Sequence, residues 1–168
     1  MNIDAALLEK LAATRLVIFD VDGVLTNGQL FYTAQGEYFK AFHVQDGLGL
    51  KLLQKSGIKV AIITGRQSEM VEVRMRELGI TDIYQGQEDK KQAFHELLEK
   101  YQLPEKKVAY VGDDLPDLPL IKAAGVGFTV ANAQPIIKEQ ADYCTQLCGG
   151  EGAAREICNL ILSAQGKL

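Results

Sequence analysis

Three short apolar runs constrain this chain more than any other feature: Leu16-Val17-Ile18-Phe19, Val60-Ala61-Ile62-Ile63 and Val108-Ala109-Tyr110-Val111. Each is too short for a helix and apolar without alternation, the pattern of a strand buried on both faces. The segments between them carry helical spacing. Residues 47–55 place Leu48, Leu52 and Leu53 on one side, and residues 68–78 and 91–101 follow, with Gly57 and Gly79 where helix stops belong. Weaker strands are expected at Ile83-Tyr84 and over residues 127–130, and a last amphipathic helix over residues 153–162. Strands alternating with helices require right-handed crossovers, so the fold class is α/β, a parallel sheet flanked by helices. One stretch breaks the rhythm. Residues 29–44 alternate aromatic and polar side chains (Phe31, Tyr38, Phe39, Phe42) around Gln35-Gly36, which predicts a small β-hairpin inserted after the first strand.

Composition narrows the possible partners. A chain of 168 residues suits a single domain over 1–168. With 47% apolar and 24% charged residues it is not disordered, and no apolar run approaches the ~20 residues that span a bilayer. The 18 Lys+Arg against 22 Asp+Glu leave a net charge of −4, which excludes a general binder of nucleic-acid phosphates. Neither nucleic acid nor membrane is an expected partner, and an anionic ligand must be met by a few local cations. Met1-Asn2-Ile3-Asp4 has no basic segment leading into an apolar stretch, so no export signal is expected. Cys144, Cys148 and Cys158 lack C-x-x-C spacing and have only two histidines to join them as ligands. They are expected to be reduced, packed thiols of a cytoplasmic protein.

In an open α/β sheet, ligands bind beyond the carboxyl ends of the strands. The residues placed there are Asp20-Val21-Asp22-Gly23-Val24-Leu25-Thr26, then Thr64-Gly65-Arg66, then Gly112-Asp113-Asp114-Leu115-Pro116-Asp117. Four or five carboxylates thus converge on one edge, an arrangement that calls for a hard divalent cation such as Mg²⁺. Thr64 adds a hydroxyl, and Arg66 and Lys90 add positive charge. A cation, a nucleophilic carboxylate and phosphate-binding groups together suit phosphoryl transfer. A calcium hand is excluded because Gly23 follows Asp22 directly and a strand precedes the pair. No G-x-x-x-x-G-K-[ST] loop occurs, and Gly47/Gly49 and Gly125/Gly127 lack the third glycine of a dinucleotide loop, so they are expected in tight packing or turns.

Asp20-Val21-Asp22-Gly23-Val24-Leu25-Thr26, Thr64-Gly65, Lys90 and Gly112-Asp113-Asp114-x-x-Asp117, in that order on alternating elements, resemble the four signatures of the haloacid dehalogenase-like phosphatases. The resemblance implies a Rossmann-like sheet and assigns Asp20 as the nucleophile that forms an aspartyl-phosphate. It makes Asp22 the general acid and base. Mg²⁺ would be held by Asp20, the backbone carbonyl of Asp22, and Asp113. Thr64 would bind the transferring phosphoryl group and Lys90 would neutralise its charge, with Asp114 and Asp117 supporting the metal and Lys90. Lys90 is preferred to Lys91 because it follows Gln85-Gly86-Gln87 at the family-like offset.

Residues 42–47, 63–66, 84–87, Gly149-Gly150-x-Gly-Ala-x-Arg155-Glu156 and the ending Ala164-Gln165-Gly166-Lys167 further resemble the phosphatases that act on 3-deoxy-D-manno-octulosonate 8-phosphate, an eight-carbon sugar acid. That resemblance implies a phosphorylated sugar acid as substrate, touched by Asp22, His43, Val44, Gln45, Asp46, Gly47, Lys51, Arg66, Arg74 and Lys90. Arginine suits the sugar carboxylate because its planar fork binds bidentately. Lys51 stands where arginine is expected and Glu151 where a basic residue is usual. Phosphatases of a nine-carbon sugar-acid 9-phosphate are the nearest rivals, and Arg66 after Thr64-Gly65 favours the eight-carbon substrate. A phospho-receiver domain would put its acidic pair and its acceptor on separate strands, and a non-catalytic scaffold would not keep the whole residue set.

Many relatives of this type carry an inserted cap domain. Here the gap after Asp22 holds one hairpin and one helix, and that between Thr64 and Lys90 one helix and one strand, too little for a domain of ~50 residues. The chain is therefore expected to be capless. The apolar surface of the hairpin is expected to pair between subunits, so that neighbours close each site in a homotetramer, as in the resembled family.

Overall fold

The computed structural model describes residues 3–168. Helix α1 (Ala5–Ala13) leads into β1 (Leu16–Phe19), followed by a hairpin of β2 (Phe31–Thr33) and β3 (Gly36–Phe39). Then come α2 (Val44–Lys55), β4 (Lys59–Ile63), α3 (Glu69–Glu77), β5 (Asp82–Tyr84), α4 (Lys91–Tyr101) and β6 (Val108–Val111). The chain ends with α5 (Leu118–Ala123), β7 (Val126–Thr129), α6 (Pro135–Gln140), β8 (Tyr143–Cys144) and α7 (Ala153–Ala164). The six-stranded sheet runs β5-β4-β1-β6-β7-β8, every pairing parallel. Residues of β1 and β6 are buried throughout, which explains their unbroken apolar runs. Strand order grows from β1 first toward β5 and then, after α4, toward β8. With right-handed crossovers the helices of the two directions cover opposite faces. On one, α2 and α1 pack against α7; on the other, α4 and α6 pack against α5.

The expected strands at the sheet centre and the 91–101 helix coincide with observed elements, and α3 begins directly after Ser68 and ends at Leu78 before Gly79. Other expectations need correction. The hairpin stops at Phe39, and the helix expected from Gly47 begins at Val44. Its glycines sit inside the helix because of close packing: a Cβ on Gly47 would lie 2.6 Å from the Arg74 guanidinium, and one on Gly49 would lie 3.0 Å from Arg155 and 3.1 Å from Cys158. Helices α1, α5 and α6 and the two-residue β8 were not expected. Leu11 is the one residue of α1 that is fully buried, so no apolar stripe announces it, although Asp4 caps it by accepting from the Leu7 amide at 2.7 Å. The three cysteines are free thiols, with Cys158 fully buried in α7 and Cys144 and Cys148 half-buried.

Candidate active site

Strand β1 delivers its last ladder bond from the Asp20 amide to Val111 O at 3.0 Å, which seats Asp20 where β1 and β6 both end. The chain then turns tightly, Leu25 N donating to Val21 O at 2.9 Å, with Gly23 at φ +91°. Gly23 is required twice over: L side chains rarely adopt that φ, and its Cβ would overlap the Asp113 carboxylate. Thr26 holds the turn, its hydroxyl accepting from the amides of Gly23 at 3.3 Å and Gly28 at 3.2 Å. Behind it Gly150 N donates to Val24 O at 3.0 Å, and a side chain at Gly149 or Gly150 would strike the backbone of residues 23–27. The Gly-Gly tail therefore acts as the backing of the Asp20 loop.

Six carboxylates, Asp20, Asp22, Glu88, Asp113, Asp114 and Asp117, line one cavity of about 510 Å³ together with Thr64, Arg66 and Lys90. Lys90, at the start of α4, is buried, with Nζ 3.0 Å from Asp20 Oδ1 and 2.7 Å from Asp117 Oδ1, whereas Lys91 is exposed. Asp117 Oδ1 also accepts from the Tyr110 hydroxyl at 2.7 Å, and its Oδ2 accepts from the amides of Asp113 at 3.0 Å and Asp114 at 3.2 Å. Asp114 caps the 3₁₀ turn over residues 115–117 by accepting from the Leu115 amide at 2.7 Å. Thr64 is buried with a hydroxyl that has no protein partner, so it is free for a ligand.

Burial, with the charge of Asp117, pushes the Asp20 carboxyl up to about 6. Burial, with the charges of Asp20 and Asp117, pushes Asp113 up to about 7. Lys90 moves the other way from what burial dictates: its two carboxylate neighbours hold it above the usual lysine value, hence positively charged. Such crowding of like charge is the electrostatic signature of a cation site. One oxygen each of Asp20, Asp113 and Asp117 lies within 4.8 Å of the others. Asp117 is already occupied by four protein donors, which leaves Asp20 and Asp113 as the carboxylates able to hold a hard divalent cation.

The remaining expected substrate contacts divide. Arg66 lines the cavity, its Nε 3.8 Å from Asp22 Oδ2 and its guanidinium bonded to the Tyr32 hydroxyl of the hairpin. His43, Asp46, Gly47 and Arg74 line a separate narrow cleft beside α2, while Val44 and Lys51 are exposed on α2. Within one chain, none of these residues, nor Gln45, lines the carboxylate cavity. Asp46 in particular is buried and caps α7, its Oδ1 accepting from the Arg155 amide at 2.7 Å while its Oδ2 has no partner among the described residues. Arg74 pairs with Glu77 at 2.9 Å. Sequence reasoning missed Lys40, Glu37 and Tyr110, which reach Asp22, Arg66 and Asp117, and Ser68, which holds Glu37; Tyr110 is a polar tip within an apolar strand, and Lys40 follows the aromatic alternation with no motif around it.

Known proteins share both the sequence and the shape. The haloacid dehalogenase-like hydrolase family matches residues 72–157. The 3-deoxy-D-manno-octulosonate 8-phosphate phosphatase KdsC of Escherichia coli K12 is 49% identical over 166 residues, covering 99% of this chain and 88% of that protein. The Yersinia pestis phosphatase of the same name superposes with a TM-score of 0.97 at 48% identity over 99% of this chain and 90% of that one. The Moraxella catarrhalis phosphatase, solved with magnesium, phosphate and KDO, is 48% identical with a TM-score of 0.92 over 95% of this chain and 91% of that one. The chain belongs to the haloacid dehalogenase-like hydrolases and, within them, to the 3-deoxy-D-manno-octulosonate 8-phosphate phosphatases.

Proposed function

We propose that this protein is a Mg²⁺-dependent phosphatase that hydrolyses 3-deoxy-D-manno-octulosonate 8-phosphate to the free sugar acid and phosphate. The observation that carries the reading is the Asp20-Lys90-Asp117 array at the mouth of β1 and β6, beside the unpartnered Thr64 hydroxyl. Asp20 attacks phosphorus, its carboxylate oriented by Lys90. Thr64 and Lys90 hold the phosphoryl oxygens, and the lysine offsets charge that grows in the transition state. Asp22 gives a proton to the departing sugar oxygen and then takes one from the water that cleaves the aspartyl-phosphate. Asp20, Asp113 and the Asp22 carbonyl would hold Mg²⁺, which supplies charge neutralisation for the phosphoryl group when bound. Asp114 and Asp117 support this array. Arg66 meets the sugar acid at the cavity rim, with Asp22 and Lys90 deeper in.

The protein acts as one domain, in the cytoplasm, and as a homotetramer. The free, buried or half-buried thiols support a reducing compartment, and among the described residues no helix is long and apolar enough to cross a membrane. The hairpin supports assembly: Leu30, Tyr32, Tyr38 and Phe39 are exposed together. Pairing of hairpins between subunits would bring His43, Val44, Gln45, Gly47, Lys51 and Arg74 of a neighbour toward the cavity. A screen over sugar-acid phosphates with Mg²⁺ tests the reading, with light scattering for the assembly. Release of phosphate by wild type and none by Asp20→Asn is expected; equal inactivity of both on every phosphate ester would overturn it.

A further inference from the structure

One buried ammonium contacts the site without a place in the mechanism above. Lys40 follows β3 at the foot of the hairpin, its side chain 2% exposed, with Nζ 2.5 Å from Asp22 Oδ1 and 3.0 Å from Glu37 Oε1. Glu37 is itself held, its Oε2 accepting from Ser68 Oγ at 2.5 Å, and Ser68 directly precedes α3. Burial raises the Glu37 carboxyl, but hydrogen bonds from Ser68 and Lys40 and the charges of Lys40 and Arg66 outweigh it, so the group sits below the usual glutamate value and is ionised. A lysine this buried is costly unless paired, and here it is paired twice. The hairpin is thereby tied both to the Asp20 loop and to the start of α3.

We infer that Lys40 is a positioning residue for the proton transfer at Asp22, with Glu37 as its strut. The inference rests on the phosphatase reading. By donating to Oδ1, Lys40 fixes the rotation of the Asp22 carboxylate and makes Oδ1 an acceptor only. The proton to be transferred then resides on Oδ2, the oxygen beside Arg66 on the cavity side. When the bond between phosphorus and the sugar oxygen breaks and that between phosphorus and Asp20 forms, the departing oxygen takes its proton from Oδ2. The Glu37 charge, 3.0 Å from Nζ, offsets that of Lys40, so the carboxylate is oriented without an uncompensated cation at its side. In a fold without a cap domain, the hairpin does for its own chain part of what a cap does, by aiming the acid.

Leaving-group chemistry separates this role from a structural one. An alkyl phosphate needs its departing oxygen protonated, whereas 4-nitrophenyl phosphate releases a stable anion and needs little help. Lys40→Met keeps length and apolar bulk and removes the donor. On 3-deoxy-D-manno-octulosonate 8-phosphate with Mg²⁺ it should lower kcat by about 30-fold with KM within about 3-fold, as expected for a misplaced general acid. On 4-nitrophenyl phosphate kcat/KM should fall less than about 3-fold, and Lys40→Arg should restore part of the loss. Glu37→Gln, a milder change, should show the same asymmetry at smaller size. Equal losses on both esters in these variants, a rise in KM alone, or no change would overturn the inference. An inactive wild type would instead overturn the phosphatase reading, and this inference with it.

Discussion

The Tyr110 hydroxyl donates to Asp117 Oδ1 across 2.7 Å from inside strand β6. Asp117 thus connects an apolar strand, the amides of Asp113 and Asp114, and Lys90. Asp117→Ala would remove the partner of a buried lysine and free two loop amides at once, and such losses cost about 3–5 kcal/mol. Tyr110→Phe removes one of these bonds and should cost about 1–2 kcal/mol. Denaturant unfolding of both variants checks the order; a Tyr110→Phe loss equal to that of Asp117→Ala would show that Asp117 is not the hub.

Gly23→Ala should abolish turnover by more than about 100-fold, because its Cβ would displace the Asp113 carboxylate and its φ of +91° disfavours any side chain. The fold should survive with a loss of about 1–2 kcal/mol. Calorimetric titration with Mg²⁺ provides the direct measurement, and an affinity within 3-fold of wild type would contradict the packing argument.

Acid should oppose the cation. The folded protein without metal holds protons on Asp20 and Asp113 up to about pH 6 and 7, whereas the unfolded chain releases them near 3.8. Between those values the native state binds more protons, so these two groups make stability fall as pH rises. A divalent cation displaces the protons and removes that penalty. The rise in Tm on adding Mg²⁺ should therefore be small at pH 5 and larger at pH 8; a rise independent of pH would mean that these carboxylates do not hold the ion.

Asp46→Ala should destabilise by about 1 kcal/mol through loss of the α7 cap, while Asp46→Asn, which keeps an acceptor, should cost less. Thermal unfolding distinguishes the two, and equal melting temperatures for wild type and Asp46→Ala would show that the cap does not stabilise α7.

What the residues announced and what they hid follow from range. Strands β1 and β6 were legible because burial on both faces leaves no polar position, and Asp20, Thr64 and Asp113 because strand ends in a parallel sheet are where ligands go. Lys90 was legible only through its order relative to those motifs. Tyr110, Glu37 and Lys40 were not, since their roles depend on which loop folds over which strand, and nothing local encodes a contact such as that of Lys40 with Asp22. The start of α2 was placed three residues late, at Gly47, since nothing local marks Val44, whereas the tight packing expected of Gly47 and Gly49 is met by Arg74, Arg155 and Cys158. The structural part that Asp46 plays was hidden as well, since its Oδ1 caps a helix more than a hundred positions away.

The placement of β1 between β4 and β6 has a consequence for how the chain is made. The strand that leaves the ribosome first is the centre of the sheet, yet one of its two edges stays bare until Val108–Val111 has been synthesised, and the Asp20 loop lacks its backing until Gly150 follows. Nascent or truncated chains that stop short of β6 expose an apolar strand edge open to wrong partners, so they should be poor phosphatases and ready aggregators. For this protein, activity should arrive late in synthesis and all at once.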